Sequence, residues 1–179
     1  YNDQEYIKHL ERRGKKQTVM LGFSDGTKDG GYFMANWSIY KAKKTLTRLS
    51  EKYNLKIAFF DGRGGPPARG GGNTHEFYAS IDNKIRADDI QLTIQGQTIS
   101  SNFGTNESCQ FNLEQLLSSG VENQIFKPEK NNLSANDVGT LDRLANESYK
   151  KYAKFKSHPK FISYLEKMTT LYYYSKANI

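Results

Sequence analysis

The sequence predicts an α/β fold in which parallel strands alternate with long helices. Two apolar runs, 18–23 and 55–60, flank a long amphipathic stretch. A crossover of that length joins neighbouring parallel strands. Each run leads directly into a polar, glycine-rich segment, 24–31 after the first and 61–73 after the second. Because ligand sites in such folds lie at the carboxyl ends of the strands, we expect both segments at one cleft.

Composition narrows the class of protein. A chain of 179 residues can bury the core of one domain, and its formal charge of +7 suits an anionic partner. The lysines form no block of like charge, which favours solvated helix faces over nucleic-acid binding. The only cysteine, Cys109, excludes an internal disulfide and fits a reducing, cytoplasmic location. No run is long enough to cross a membrane, and the start at Tyr1 indicates a piece of a longer protein.

The first half of the chain is predicted as helix, strand, turn, helix and strand. A polar helix should end near Gly14, and the continuous apolar run 18–23 is typical of a strand buried on both faces. Residues 24–31 should form a polar turn, and Asn54 a left-handed cap after the long helix. That helix has an apolar stripe at Tyr32, Ala35, Ile39, Ala42, Leu46, Leu49 and Tyr53. The basic residues off the stripe should face solvent: Lys41, Lys43, Lys44 and Arg48.

The second half is predicted to be mostly helical. A short helix over 74–80 precedes a strand over 90–94, and Asn106 should cap a helix that ends at Gly120. Residues 121–133 should form a loop. Ser134 and Pro159 then begin the last two helices.

The segment 61–73 predicts an anion site. It holds six glycines and two arginines, Arg63 and Arg69, so backbone N–H groups and guanidinium forks are available to phosphate or carboxylate. It matches neither the P-loop pattern nor the dinucleotide fingerprint. The alternative is a non-catalytic anion- or RNA-binding module. We disfavour it because R-G-G segments that bind RNA belong to longer tracts than this one.

The segment 24–31 offers a carboxylate and a lysine. Asp25 at a strand end could bind Mg²⁺, which accepts one carboxylate together with waters and phosphate, or it could cap the next helix. The residues alone leave these readings open. For Asp29 a cap or turn role is favoured. Lys28 is either a phosphate ligand or a surface lysine.

At these residues the sequence resembles phosphoenolpyruvate carboxylases. That family carries the motif Y-S-D-S-x-K-D-A-G, which corresponds to residues 23–31 here. It continues with a helix that contains Trp and Tyr, matched by Trp37 and Tyr40, and with the motif F-H-G-R-G-G-x-x-G-R-G-G-G-P-T-H, matched by residues 60–75. Residues 91–99 resemble its R-V-T-x-Q-G-E-x-I. The resemblance implies a fragment of a helix-rich (β/α)₈ barrel, homotetrameric at full length. Residues 1–104 would carry the last barrel strands and the catalytic loop, and 105–179 a helical packing region.

The resemblance also implies a reaction. Bicarbonate and phosphoenolpyruvate give oxaloacetate and phosphate, a carbon dioxide fixation by a lyase that replenishes the tricarboxylic acid cycle. Bicarbonate attacks phosphorus, and the resulting enolate captures CO₂. Arg63, Arg69 and Lys28 would be catalytic, with Arg69 on a mobile loop, and Asp25 would bind Mg²⁺ or Mn²⁺. Aspartate or malate would be the expected inhibitor. The phosphate site would comprise Arg63, Arg69, Gly64, Gly65, Gly70 and Gly71.

Three departures from the family pattern stand out. Asp61 replaces a histidine, which puts a carboxylate beside a phosphate site, where it could orient Arg63. Residues 66–68, Pro-Pro-Ala, replace a more flexible segment, and Gly26 replaces a serine. The family's other catalytic histidine and second metal-ligating carboxylate lie upstream of the matching region. We therefore expect the isolated chain to be inactive.

Overall fold

The computed structural model describes residues 1–63, 74–82, 84–86, 89–126 and 133–168. Over these residues the fold is α/β, rich in helix, with a small parallel sheet. Its elements are, in chain order, α1 Gln4–Arg12, β1 Lys16–Leu21, α2 Phe23–Gly30, α3 Tyr32–Lys52, β2 Lys56–Asp61, α4 Thr74–Ala79, β3 Ile90–Leu92, α5 Gln97–Phe103, α6 Asn106–Val121, the π-helical segment Glu122–Phe126, α7 Ala135–Lys156 and α8 Phe161–Met168.

The sheet confirms the predicted parallel crossover. Within the described ranges it has the order β1-β2-β3, and both neighbouring pairs are parallel. Leu21 of β1 and Leu92 of β3 both pair with Asp61 of β2. The carboxyl ends of the three strands therefore meet at one edge of the sheet.

The prediction that the first strand is buried on both faces is wrong. Exposed and half-buried residues alternate along β1, and the Met20 side chain is 60% exposed. In the part of the chain that the structure describes, β1 pairs with β2 alone, so one edge of β1 is uncovered. The central strand β2 is instead mostly buried, and Ile57 and Phe59 form the core with Ile85.

The long helix α3 forms where predicted, and Asn54 after it has the expected left-handed backbone, with φ of 51°. Its buried face is rotated from the predicted stripe. Tyr32 is exposed, whereas Lys43 is 4% exposed, so the prediction of a solvent-facing Lys43 is wrong. The buried residues of α3 are Ala35, Trp37, Lys43, Thr47 and Ser50.

The predicted polar turn at 24–31 is instead the helix α2. Its end is held by α7, because the hydroxyl of Tyr152 and the ammonium of Lys156 each donate to the carbonyl oxygen of Lys28 at 2.8 Å. Gly31 then joins α2 to α3 with φ of 78° and ψ of 161°, a conformation that favours glycine. Contacts from a distant helix therefore stabilise a segment that local sequence marks as a turn.

The later helices follow the prediction with shifted ends. Thr105, not Asn106, caps α6, in a reciprocal pair with Ser108. The predicted loop 121–133 begins with a π-helical segment, and Ser134 caps α7 as expected. Among the described helices, none combines the length and the apolar character that a membrane crossing requires.

Candidate active site

The two strand ends that carry the candidate site residues are in direct contact. The Gly62 N–H donates to the Leu21 carbonyl oxygen at 2.8 Å. A Cβ atom at Gly62 would lie 3.0 Å from that same oxygen, so a side chain there would force the strand ends apart. This close approach joins the ends of β1 and β2, and the Phe23 ring at the start of α2 lies 5.9 Å from the Arg63 guanidinium carbon. The convergence of the full segments stays a prediction, because residues 64–73 lie outside the described residues.

Asp25 and Lys28 both lie on α2. Lys28 Nζ is 3.3 Å from Asp25 Oδ1, and both side chains are exposed. The helix starts exclude the cap role that the sequence left open for Asp25 and favoured for Asp29, and the metal role of Asp25 stays a prediction. Gly22 is the N-cap of α2 and Gly31 that of α3, so neither Asp25 nor Asp29 occupies a cap position. Asp25 instead sits in the first turn of α2, where the helix dipole favours a carboxylate.

Arg63 occupies a very different environment, since only 6% of it is exposed. Its guanidinium carbon lies 3.8 Å from the centre of the Phe77 ring, with Phe23 and Tyr78 rings at 5.9 and 5.8 Å. A guanidinium over an aromatic face gains cation–π attraction, more so when it is desolvated. Burial also lowers the pKa of Arg63 from its ordinary value. The aromatic rings thus hold Arg63 in one place.

Asp61, the last residue of β2, is 1% exposed and bound by two other elements. Its Oδ2 accepts a hydrogen bond from Lys43 Nζ of α3 at 2.7 Å and from the Tyr78 hydroxyl of α4 at 3.0 Å. Lys43 Nζ also lies over the rings of Phe59 and Phe77, at 5.3 and 5.5 Å. The carboxylate that the sequence places at the start of the candidate anion site is therefore the acceptor of a buried ion pair.

Among the described residues, this cluster has two buried cations and one buried carboxylate. Burial lowers the pKa of Lys43, and the Asp61 carboxylate partly offsets that effect. Burial raises the pKa of Tyr78, with Asp61 adding to the rise, so the phenol stays neutral at pH 7. A cation in a water-poor site attracts an anion more strongly than one in water does.

Sequence reasoning missed Lys43. A lysine off the apolar stripe is usually solvated, so the stripe alone gave the wrong face. The available signal was Asp61, because a carboxylate at the end of an apolar strand needs a cationic or hydrogen-bonding partner when buried. Thr47 and Ser50, four and seven positions after Lys43, mark the same face with small polar residues that both become buried.

Several predicted site residues lie outside the described residues. They are Arg69, Gly64, Gly65, Gly70, Gly71 and the replaced segment 66–68. The roles predicted for them stay predictions.

At the start of α2, Asp25 offers a metal ion an accessible carboxylate. No group of three or more His, Cys, Asp and Glu side chains occurs among the described ranges. Asp25, whose side chain is 82% exposed, is open to an ion. This arrangement fits Mg²⁺ or Mn²⁺ only if waters and substrate oxygens supply most of the ligands, as is usual for Mg²⁺.

Fold and site together define an α/β protein with a buried arginine and a buried lysine at the carboxyl edge of parallel strands. The family model for phosphoenolpyruvate carboxylase matches residues 1–179. A phosphoenolpyruvate carboxylase of Corynebacterium diphtheriae is 33% identical over 174 residues, which is 97% of this chain and 19% of that protein. The chain belongs to the phosphoenolpyruvate carboxylase family. It spans about a fifth of the length of that relative.

Proposed function

We propose that this chain is the C-terminal catalytic part of an enzyme that carboxylates phosphoenolpyruvate with bicarbonate, giving oxaloacetate and phosphate. The observation that carries the proposal is Arg63, buried on Phe77 at the carboxyl edge of parallel strands in a chain of this family. Residues 1–104 contribute the last strands of a (β/α)₈ barrel with the catalytic loop 61–73. Residues 105–179 pack as helices outside it.

Arg63 binds the transferring phosphoryl group in this proposal. Its guanidinium is pre-positioned by the Phe77 ring and largely removed from water, so little reorganisation is needed when charge develops on the phosphoryl oxygens. The planar fork of donors matches two of those oxygens. Bicarbonate attacks phosphorus and the bond from phosphorus to the enol oxygen breaks, which gives carboxyphosphate and an enolate. The C–O bond of carboxyphosphate then breaks to release phosphate and CO₂, and the enolate carbon captures that CO₂.

Asp25 and Lys28 serve the outer side of the site. Lys28 is a second cation for the substrate, and its exposed position suits contact with an incoming anion rather than a fixed internal role. Asp25 would hold Mg²⁺ or Mn²⁺, which supplies Lewis-acid stabilisation of negative charge on the enolate oxygen. When no ion is bound, Lys28 neutralises Asp25.

The remaining roles complete the proposal. Arg69 closes over the intermediates and excludes water, and Gly64, Gly65, Gly70 and Gly71 present backbone N–H groups to phosphate. The full-length enzyme is a cytoplasmic homotetramer that aspartate or malate inhibits. Its oxaloacetate replenishes the tricarboxylic acid cycle.

The test is a coupled assay of oxaloacetate formation by the full-length protein that carries this chain. Arg63→Ala should lower kcat by about 100-fold or more, the loss expected when a donor to developing charge is removed. Arg48→Ala is the matched control, since Arg48 is exposed on α3, and it should keep the wild-type rate. Equal rates for all three proteins would refute the assignment.

The isolated 179-residue chain should bind phosphate but form no oxaloacetate. In this family a catalytic histidine and a metal-ligating carboxylate lie upstream of the region that this chain matches. Oxaloacetate formation by the isolated chain would contradict this part of the proposal. Phosphate binding that falls steeply with salt, without preference for phosphoenolpyruvate over phosphate, would favour a non-catalytic anion-binding module instead.

A further inference from the structure

The ion pair between Lys43 and Asp61 is almost wholly removed from solvent. The side chains are 5% and 2% exposed, and Nζ lies 2.7 Å from Oδ2. Burying two charges carries a large desolvation cost that their attraction offsets only when the geometry is good. An apolar pair of similar volume would stabilise the fold about as well. Stability therefore does not by itself account for this pair, and its surroundings point to another role.

The pair is connected to Arg63 by three routes. Asp61 lies two residues before Arg63, so anchoring the end of β2 at Asp61 also anchors the chain that leads to Arg63. The Phe77 ring lies under both cations, 5.5 Å from Lys43 Nζ and 3.8 Å from the Arg63 guanidinium carbon. Tyr78 donates to Asp61 at 3.0 Å, and its ring is 5.8 Å from the same guanidinium carbon.

These contacts join three regular elements at one point. Lys43 comes from α3, Asp61 from β2, and Phe77 with Tyr78 from α4. Both hydrogen bonds converge on one oxygen, Oδ2 of Asp61. A binding group is held most reproducibly when its supports come from helices and strands rather than from loops. The buried carboxylate is thus the point at which α3 and α4 fix the end of β2.

We propose that Lys43 and Asp61 form a positioning pair for Arg63. The identity of the substrate rests on the proposed function, whereas the positioning of Arg63 does not. The pair also explains why Asp61 is tolerated next to a phosphate site, because Lys43 donates to its carboxylate at 2.7 Å.

The decisive variant is Lys43→Met with Asp61→Asn in the full-length protein. Each single change leaves one buried charge without its partner, which destabilises the fold. Weaker phosphate binding would then not distinguish unfolding from a displaced Arg63. The double change removes one positive and one negative charge, so the net charge of the site is unchanged. Any loss of phosphate binding then reports a displaced Arg63 rather than a weaker field.

The matched control is Lys44→Met with Asp82→Asn. This neighbouring ion pair also joins α3 to another segment, at 3.2 Å, but it lies in a partly exposed position. The control variant removes one positive and one negative charge, as the Lys43/Asp61 variant does, and it leaves the contacts around Arg63 in place. Arg63→Ala sets the limit for complete loss of the guanidinium.

Titration calorimetry with inorganic phosphate is the first readout, because it needs no turnover. The Lys43/Asp61 double variant should bind phosphate about 10- to 100-fold more weakly than wild type, the range expected for losing a hydrogen bond to a charged group. The Lys44/Asp82 control should bind normally. Wild-type affinity in the Lys43/Asp61 variant, with clear loss in Arg63→Ala, would overturn the proposal.

A second comparison covers the case in which that double variant does not fold. Tyr78→Phe leaves both charges in place and removes the hydrogen bond from the phenol to Asp61, so it should weaken phosphate binding about 3- to 10-fold. Wild-type affinity in Tyr78→Phe would also overturn the proposal. Failure of the proposed function is a separate result: wild type would bind phosphate through Arg63 but form no oxaloacetate.

Discussion

Replacing Gly31 by alanine should destabilise the protein at the junction that holds α2 in place. The backbone there has φ of 78° and ψ of 161°, a region open essentially to glycine alone, at a cost of about 1–3 kcal/mol for other residues. The new Cβ would also lie 3.1 Å from Cγ and 3.3 Å from Cβ of Tyr152. Overpacking of this kind costs about 1–3 kcal/mol more. The expected loss is roughly 2–6 kcal/mol.

Alanine substitutions at two other glycines separate the backbone cost from the cost of overpacking. Gly14 has φ of 70° and open space around its Cβ position, so Gly14→Ala should cost only the backbone part, about 1–2 kcal/mol. Gly139 lies inside α7 with nothing near its Cβ position. Gly139→Ala should therefore stabilise the helix by roughly 0.5–1 kcal/mol.

The assay is urea denaturation followed by fluorescence of Trp37, the only tryptophan in the chain. Trp37 is buried and its Nε1 donates to Asp142 of α7 at 2.7 Å, so its emission reports the packing of α3 on α7. From the most to the least stable protein, the expected order is Gly139→Ala, wild type, Gly14→Ala and Gly31→Ala. If Gly31→Ala costs no more than Gly14→Ala, the contact with Tyr152 does not constrain the junction.

Three further outcomes are expected. Asp142→Ala should shift the emission of Trp37 to longer wavelength, because water replaces the partly exposed carboxylate beside the indole N–H, whereas Asp142→Asn should shift it less. Thr105→Ala should cost about 1 kcal/mol in urea denaturation by removing the cap of α6, and an unchanged midpoint would contradict the capping. Burial raises the pKa of Asp82, but hydrogen bonds from the Lys84 N–H, Tyr40 and Lys44 outweigh it and hold the pKa below the usual 3.8. The stability that ionised Asp82 contributes is therefore fully present above the pKa of Asp82 in the unfolded chain, and it is lost as the pH falls through the lowered pKa in the folded protein. Urea denaturation at a series of pH values should show this loss in wild type and not in Asp82→Asn.

The arrangement of the strands could be predicted because it depends on patterns that are local in sequence. The apolar run before Asp61 and the helical stripe of α3 implied a parallel crossover, and the two strand ends indeed meet. The left-handed Asn54 followed from its place after that helix.

The errors arose where distant contacts outweigh local preference. Residues 23–30 contain two glycines and few apolar side chains, yet they form α2, whose end is bound by Tyr152 and Lys156 of α7. Lys43 was expected in solvent because the charge of its partner, eighteen positions later at Asp61, does not enter a helical pattern. Burial of such a pair is decided by packing in three dimensions.

Oxygen-isotope transfer from bicarbonate is the most direct test of the central claim that Arg63 supports bicarbonate-dependent phosphoryl transfer. If bicarbonate attacks phosphorus, the released phosphate retains one bicarbonate oxygen. The full-length protein given ¹⁸O-labelled bicarbonate and phosphoenolpyruvate should release phosphate with one labelled oxygen, and Arg63→Ala should slow this about 100-fold or more. Unlabelled phosphate, or labelled phosphate at the wild-type rate from Arg63→Ala, would contradict the account.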